Sequence, residues 1–170
     1  MADGTLTARV VIIGGGAVGA SCLYHLARAG WTDALLLERN ELTAGSTWHA
    51  AGNVPTFSSS WSIMNMQRYS AELYRGLGEA VGYPMNYHVT GSVRLGHTRE
   101  RLREFQRVVG MGRYQGMDLD ILAPDQIRDR YPFLETHDLT GALYDPYDGD
   151  IDPAQLTQAL AKGARDLGAR

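Results

Sequence analysis

The amino-acid sequence predicts an α/β fold that opens with a strand, a helix and a second strand parallel to the first. A β-branched apolar run at 10–13 is typical of a buried parallel strand. An alanine-rich helical pattern then continues to Gly30, and a second apolar strand spans 34–37. Between the first strand and the helix, residues 14–19 follow the pattern Gly-X-Gly-X-X-Gly. These elements in this order predict a Rossmann-like βαβ unit.

The glycine turn and the acid after the second strand predict a dinucleotide site. Gly14 permits the tight turn, Gly16 lets the backbone approach a pyrophosphate, and Gly19 lets the helix lie close to the strand. The free N–H groups and the positive dipole end of the helix start favour a phosphate there. Glu38, about 20 residues further on, lies where a carboxylate accepts hydrogen bonds from the adenosine ribose. These features alone leave NAD and FAD both open.

A run of small residues at 44–52 follows Glu38 and Arg39. Small side chains let a backbone lie against a flat ligand. The hydroxyl and N–H groups of Ser46 and Thr47 suit phosphate oxygens. His49 offers a neutral imidazole nucleophile near physiological pH. From the residues alone, His49 is either a point of covalent attachment or a loop histidine satisfied by hydrogen bonds.

The segment at 45–52, Gly-Ser-Thr-Trp-His-Ala-Ala-Gly, resembles the signature of the dimethylglycine and sarcosine dehydrogenase/oxidase group of the D-amino-acid-oxidase-like FAD enzymes. The resemblance covers essentially the whole chain, although only this eight-residue motif is specific. It implies FAD bound covalently, through a ring nitrogen of His49 and the 8α-methyl of the isoalloxazine. The predicted cofactor-binding residues are Gly14, Gly15, Gly16, Gly19, Glu38, Arg39, Gly45, Ser46, Thr47, His49, Ala50, Ala51 and Gly52.

The resemblance also implies an activity, namely oxidation of a CH–NH bond in an N-methylated amino acid by hydride transfer to FAD. The implied electron acceptor is oxygen or an electron-transfer protein, and a missing C-terminal region would bind tetrahydrofolate. No catalytic residue is assigned, because the substrate-side residues of the superfamily lie mostly beyond Arg170. Two alternatives stay open: a non-covalent FAD or NAD dehydrogenase of another amine or hydroxy substrate, and a catalytically inactive regulatory relative.

The pattern predicts the N-terminal part of a larger oxidoreductase, inactive by itself. Residues 1–56 are expected to form the FAD-binding βαβ unit and the attachment loop, and about 57–150 are expected to supply elements of a mixed α+β substrate domain. Residues 151–170 are expected to return to the FAD domain as a helix, with Asp152 at its N-cap and Pro153 in its first turn. The chain stops where the next strand of the fold is expected.

The middle of the chain alternates helical and extended patterns. The predicted elements are a helix at 63–77 with a core stripe of Ile63, Met66, Tyr69, Leu73 and Leu77, one strand at 87–95, an amphipathic helix at 102–109, a short strand at 119–122, a helical turn at 123–127 and a strand at 141–144. Turn chemistry explains Asp145, Asp148 and Asp150 better than a calcium loop or a glycosidase carboxylate pair does.

Composition excludes several classes of partner. A net charge of −3 and a pI near 5.9 argue against nucleic acid and anionic membranes. No apolar run approaches the roughly 20 residues of a membrane span, and no targeting peptide is recognised at the N-terminus, so a cytoplasmic protein is expected. The histidines lack metal-ligand spacing, and we expect no metal site. The single cysteine, Cys22, is expected to be buried and inert.

Overall fold

The computed structural model describes residues 7–170, which divide into two compact units. The first unit takes the chain up to Gly52 together with 72–87 and 151–170, and the second takes 53–71 and 88–150. The elements in chain order are β1 (Val10–Ile13), α1 (Ala17–Arg28), β2 (Ala34–Leu37), a 3₁₀ turn (Ser46–His49), β3 (Asn53–Val54), α2 (Trp61–Val81), β4 (Tyr87–His88), β5 (Ser92–Gly96), α3 (Arg99–Tyr114), β6 (Asp120–Leu122), α4 (Pro124–Arg130), β7 (Gly141–Asp145), β8 (Gly149–Ile151) and α5 (Pro153–Asp166).

The first unit contains the predicted βαβ arrangement. β1 and β2 pair in parallel, with Val10 opposite Ala34 and Ile13 opposite Leu37. α1 connects them and ends before Gly30, whose φ of 84° is the left-handed conformation that commonly follows a helix. The predicted α/β class with a Rossmann-like unit is confirmed, and both strands have the bounds that the apolar runs indicate.

α5 packs on α1 in the same unit. The Asp152 carboxylate caps α5 by accepting hydrogen bonds from the N–H groups of Ala154 and Gln155, at 2.8 and 3.0 Å. Leu156 and Leu160 are buried. The helix ends at Asp166, and Gly168 follows it with a φ of 100°, as expected for a glycine just after a helix. Residues 167–170 are not helical.

Arg170 lies along the free edge of β2. Its N–H donates to the Ala34 carbonyl at 2.9 Å, and its carbonyl accepts from the Leu36 N–H at 2.7 Å. Bonds to two residues spaced by two along a strand are the pattern of a parallel neighbour. Along a strand, the backbone N–H and C=O groups of residues 34 and 36 point to the opposite side from those of residues 33, 35 and 37. Arg170 bonds to residues 34 and 36, so it lies along the edge of β2 that is opposite β1.

The second unit is built on antiparallel strands and helix α3. Its strands fall in two sheets, ordered β3-β8-β4 and β5-β7-β6. β5 and β7 pair from Ser92 opposite Asp145 to Gly96 opposite Gly141. A hydrophobic core of buried side chains joins α3 to this sheet and to the start of α2: Phe57, Met64, Phe105, Val108, Val109, Met117, Leu119 and Leu143.

The single strand predicted at 87–95 is wrong. The chain forms two strands there, β4 and β5, which belong to different sheets. The break falls at Gly91, which takes a φ of 70° and donates its N–H to the Asp148 carbonyl at 2.8 Å. A left-handed glycine turns the chain out of one ladder and into the next.

The predicted core stripe of α2 is also wrong in its first half. Ile63, Met66 and Tyr69 are exposed, while Met64 and Ala71 are buried. Positions seven residues apart share one face of a helix. Alanine contributes little to an apolar pattern because its side chain is small. The larger residues, which are exposed, therefore indicated the wrong face of α2 as the buried one.

Cys22 was expected to be buried, and it is exposed. α1 buries Ala20, Leu23, Tyr24 and Ala27, whose spacing of three and four residues defines one face, and Cys22 lies outside it. In the part of the chain that the structure describes, no helix is both long and apolar enough to cross a bilayer. Within residues 7–170, no three or more His, Cys, Asp or Glu side chains come together as a metal ion would require.

Candidate functional site

Two glycines of the loop between β1 and α1 are required by the structure. Gly14 has a φ of 111°, which side-chain-bearing residues rarely adopt, and its N–H donates to the Leu37 carbonyl at 2.8 Å. A Cβ on Gly19 would collide with the Gly14 carbonyl oxygen. Glycine is therefore required at 14 by backbone conformation and at 19 by the close approach of the helix to the loop.

Glu38 directly follows β2 and lies beside the glycine loop. Its carboxylate accepts hydrogen bonds from the Asn40 N–H at 2.9 Å and from the Gly15 N–H at 2.7 Å. These two bonds, that of Asn40 first, lower the pKa of Glu38 below its ordinary value, so the group is ionised at neutral pH. Each carboxylate oxygen keeps a further lone pair. A cavity of about 280 Å³ adjoins Glu38, Asn40 and Leu42.

The first turn of α1 is capped by a residue from a distant loop. Gly16 is the N-cap and has no side chain to offer. The Thr47 hydroxyl oxygen instead accepts a hydrogen bond from the Ala17 N–H at 3.0 Å. A Cβ on Gly16 would lie 2.9 Å from that oxygen, so glycine leaves the space that Thr47 uses. The next amides of this turn lack an intrahelical acceptor, as at any helix start, and suit an anion.

Thr43 connects the glycine loop to the 3₁₀ turn, and sequence reasoning missed it. Among the described residues it is the only non-glycine with a positive φ, 76°. Its N–H donates to the Gly15 carbonyl at 3.0 Å, and its carbonyl accepts from the Trp48 N–H at 3.1 Å. No pattern in the sequence indicates a left-handed threonine, because β-branched residues strongly disfavour that conformation.

His49 is exposed at the end of the 3₁₀ turn. Within residues 7–170 its imidazole has no hydrogen-bond partner, so the structure does not show the alternative of a loop histidine satisfied by hydrogen bonds. Trp48 beside it is 70% exposed. Five other predicted cofactor-binding residues are also exposed, namely Arg39, Gly45, Ser46, Ala50 and Ala51.

Gly52 is buried at the end of this segment. It has a φ of 82°, a Cβ there would collide with the Ile151 carbonyl oxygen, and its own carbonyl accepts from the Ile151 N–H at 2.9 Å. Packing alone therefore requires glycine at 52. Its predicted contact with a cofactor stays a prediction.

The acidic turn at 145–150 forms a buried cluster in the second unit. The Thr56 N–H donates to Asp148 at 2.6 Å, and the Thr56 hydroxyl lies 3.0 Å from Asp145 and 3.1 Å from Asp148. The Tyr147 N–H donates to Asp145 at 2.9 Å, and the Ser92 hydroxyl donates to Asp148. Burial, and then the charge of Asp148, raise the pKa of Asp145 to about 6. The bond from the Tyr147 N–H, two residues after Asp145, agrees with the predicted turn chemistry. The bonds from Thr56 and Ser92 come from distant parts of the chain.

Comparison with protein families matches residues 9–170 to the DAO family, which is described as FAD dependent oxidoreductase. Mitochondrial dimethylglycine dehydrogenase of Rattus norvegicus is 44% identical over 161 residues, which are 95% of this chain and 19% of that protein. Mitochondrial sarcosine dehydrogenase of Homo sapiens is 37% identical over 165 residues, covering 96% and 18%. The chain thus spans about a fifth of the length of these relatives.

Two further comparisons bear on the fold and on the alternatives. The mitochondrial regulatory subunit of pyruvate dehydrogenase phosphatase from Mus musculus is 38% identical over 161 residues, covering 95% of this chain and 18% of that subunit. The crystal structure of L-proline dehydrogenase from P. horikoshii superposes with a TM-score of 0.88 at 25% identity, covering 96% of this chain and 43% of that one. The resemblance seen in the sequence is confirmed.

Proposed function

The chain belongs to the DAO family of FAD-dependent oxidoreductases, and on that premise we propose that it is the FAD-binding N-terminal part of an enzyme that oxidises an N-methylated amino acid. The observation that carries the proposal is the glycine loop with Glu38 beside it, followed by the motif at 45–52. The likeness to dimethylglycine and sarcosine dehydrogenases supports the substrate class. FAD supplies the redox chemistry when bound, accepting a hydride from the substrate carbon next to nitrogen.

The chain's own residues fit the ADP half of FAD. The Glu38 carboxylate has lone pairs free for the ribose hydroxyls, and its lowered pKa keeps it an acceptor. The start of α1 offers amides to the pyrophosphate, and Gly16 keeps that approach open. Of the residues predicted to bind the cofactor, these are the ones for which the geometry offers direct support.

We further propose that His49 holds the flavin covalently. The exposed imidazole is free of hydrogen bonds to the described residues, and it lies on a turn linked to the glycine loop. Attachment would replace a C–H bond of the 8α-methyl and the N–H bond of the His49 imidazole by one C–N bond. It would release two electrons and two protons, which dioxygen would take up as hydrogen peroxide. Attachment prevents loss of the cofactor during turnover.

The first prediction tests this bond in the full-length enzyme. The denatured wild-type protein should show flavin fluorescence on its gel band. His49→Ala should abolish that fluorescence while the native variant keeps non-covalent FAD, because Glu38 and the helix start are unchanged. His97→Ala, an exposed histidine of the second unit, is the matched control and should keep a fluorescent band. A dark wild-type band, with all flavin in the acid supernatant, would exclude attachment and favour a non-covalent dehydrogenase.

The likeness to a phosphatase regulatory subunit favours one second candidate, a catalytically inactive regulatory relative. The discriminating measurement is anaerobic bleaching of the flavin absorbance by dimethylglycine or sarcosine in the full-length protein. Bleaching supports the enzyme, and an unchanged spectrum with both substrates supports the regulatory relative. The electron acceptor, oxygen or an electron-transfer protein, and a tetrahydrofolate region belong to the proposal. A cytoplasmic location also stays a prediction, and several relatives are named mitochondrial.

A further inference from the structure

We propose that Thr43 is a positioning residue that holds the turn bearing His49 against the glycine loop, acting together with Thr47. This inference rests on the proposed function, since it concerns how that turn is presented to FAD. Neither residue is assigned to the chemistry itself. Their contribution is the geometry of the backbone between the pyrophosphate site and His49.

The backbone of Thr43 makes a hydrogen bond in each direction. Its N–H donates to the Gly15 carbonyl at 3.0 Å and its carbonyl accepts from the Trp48 N–H at 3.1 Å. One residue therefore joins the middle of the glycine loop to the residue before His49. Thr43 makes both bonds in the left-handed conformation, with φ at 76°.

That conformation is costly for a β-branched residue, and such strain persists only where the surroundings determine it. Thr43 is buried, so its side chain is fixed by packing. A strained buried residue next to a ligand loop is a common feature of functional sites. The strained conformation of Thr43 thus occurs at a buried residue whose backbone makes two specific hydrogen bonds, and not in an exposed surface turn.

Thr47 supplies a second, independent link between the same two segments. Its hydroxyl caps the Ala17 N–H at 3.0 Å, and it lies two residues before His49 on the 3₁₀ turn. The two links leave the turn little freedom to rotate relative to the start of α1. A pyrophosphate bound at the helix start and a flavin ring beside His49 are then presented in one fixed arrangement. Misplacement of reacting groups by about 1 Å can slow a reaction a hundredfold.

The test uses two matched pairs of variants in the full-length apoenzyme, reconstituted with FAD. Thr43→Gly keeps the left-handed backbone and the N–H, whereas Thr43→Pro can adopt neither the φ nor the bond to Gly15. Thr47→Ser keeps the hydroxyl acceptor, whereas Thr47→Val keeps the shape without it. Two quantities are measured: the rate at which fluorescence appears on the denatured band, and the Kd for FAD.

We expect Thr43→Pro and Thr47→Val to slow attachment about tenfold or more while FAD still binds. Thr43→Gly and Thr47→Ser should attach at rates close to the wild type, which a purely side-chain role for Thr43 would not allow. Equal rates in all four variants would overturn the proposal. If Thr43→Pro fails to fold, the Thr47 pair decides alone, and Thr47→Val attaching as fast as Thr47→Ser overturns it.

A dark wild-type band would be a failure of the attachment proposal and not of this one. The Kd for FAD then decides, because the same links shape the pyrophosphate site. A Kd raised about tenfold in Thr47→Val and restored in Thr47→Ser supports positioning. An unchanged Kd in both overturns it.

Discussion

The buried carboxyl group of Asp145 makes the stability of the folded state depend on pH. Asp145 is 1% exposed, and the pKa of its carboxyl is raised to about 6 by burial and by the charge of Asp148. The folded state therefore binds a proton more tightly than the unfolded state. This contribution to stability is fully present below about pH 4 and is lost as the pH rises through about 6.

Replacing Asp145 by Asn should remove the loss of stability that the wild type shows as the pH rises. Asn is close in shape, keeps one acceptor oxygen for the Tyr147 N–H, and stays neutral when buried. We predict that Asp145→Asn raises the free energy of unfolding at pH 8 by about 1–3 kcal/mol relative to the wild type, with little gain at pH 4. Urea unfolding at the two pH values measures it. The half-exposed Asp150, replaced by Asn, is the control and should change both values by less than about 1 kcal/mol.

A substitution at Gly16 tests the proposed cofactor site. A Cβ there already meets the Thr47 hydroxyl at 2.9 Å, and the branches of valine would extend over the helix start. If overpacking of about 1–3 kcal/mol acts on FAD binding, the FAD affinity of Gly16→Val falls about fivefold to 150-fold. Gly76→Ala, at an open position of α2, should keep normal flavin content in the purified full-length enzyme. Normal content in Gly16→Val as well would contradict the assignment of the glycine loop.

The candidate site could be predicted from sequence where residue type alone sets the geometry. Glycine is required at 14 by backbone conformation and at 19 by a close contact. Glu38 follows the second strand of the βαβ unit, which places its carboxylate beside the glycine loop. Thr43 could not be predicted, because its φ results from packing that no local pattern records. The Thr47 cap likewise depends on a contact across 30 residues of chain.

At the scale of elements, the packing of α5 on α1 depends on one glycine. A Cβ on Gly163 would lie 2.7 Å from the Tyr24 ring and 2.7 Å from Val81. Alanine is the better helix former by about 1 kcal/mol, so propensity predicts that Gly163→Ala stabilises the helix. Packing predicts the opposite, since both neighbours must move, at a cost of about 1–3 kcal/mol.

We predict that packing outweighs propensity and that Gly163→Ala lowers the free energy of unfolding. Gly110→Ala on α3 is the matched control, because a Cβ there meets nothing within 4 Å. It should raise the same quantity by up to about 1 kcal/mol. Thermal and urea unfolding of the two variants measure whether each substitution raises or lowers the free energy of unfolding. Stabilisation by both substitutions would show that α1 and α5 pack more loosely than the structure describes.

Elements with strong local signals were predicted well. β1 and β2 are uniform apolar runs, and Asp152-Pro153 marks the start of α5. The break at Gly91 and the buried face of α2 were not predicted. Both depend on partners far along the chain, namely the Asp148 carbonyl and the core around Met64. Periodicity identifies a helix more reliably than the direction in which it faces.

At the scale of the whole molecule, the two units are discontinuous in sequence. The first takes three separate segments, among them 72–87 and 151–170. No local pattern marks the change of unit within α2, since the helix is continuous from 61 to 81. The division into an FAD domain (1–56 and 151–170) and a substrate domain (57–150) stays a prediction, because a compact unit is a structural and not a functional boundary.

The last prediction separates FAD from NAD by linkage between binding and stability. A ligand that binds only the folded state, at a free concentration a hundred times its Kd, raises the free energy of unfolding by about 2.7 kcal/mol. The His49→Ala full-length protein, freed of covalent flavin, should show this rise with FAD. ADP and NAD share the half that the glycine loop and Glu38 are proposed to bind, so at the same concentration both should give a smaller rise, similar to each other. A larger shift with NAD than with FAD would favour the NAD dehydrogenase, since the nicotinamide half would then have its own contacts.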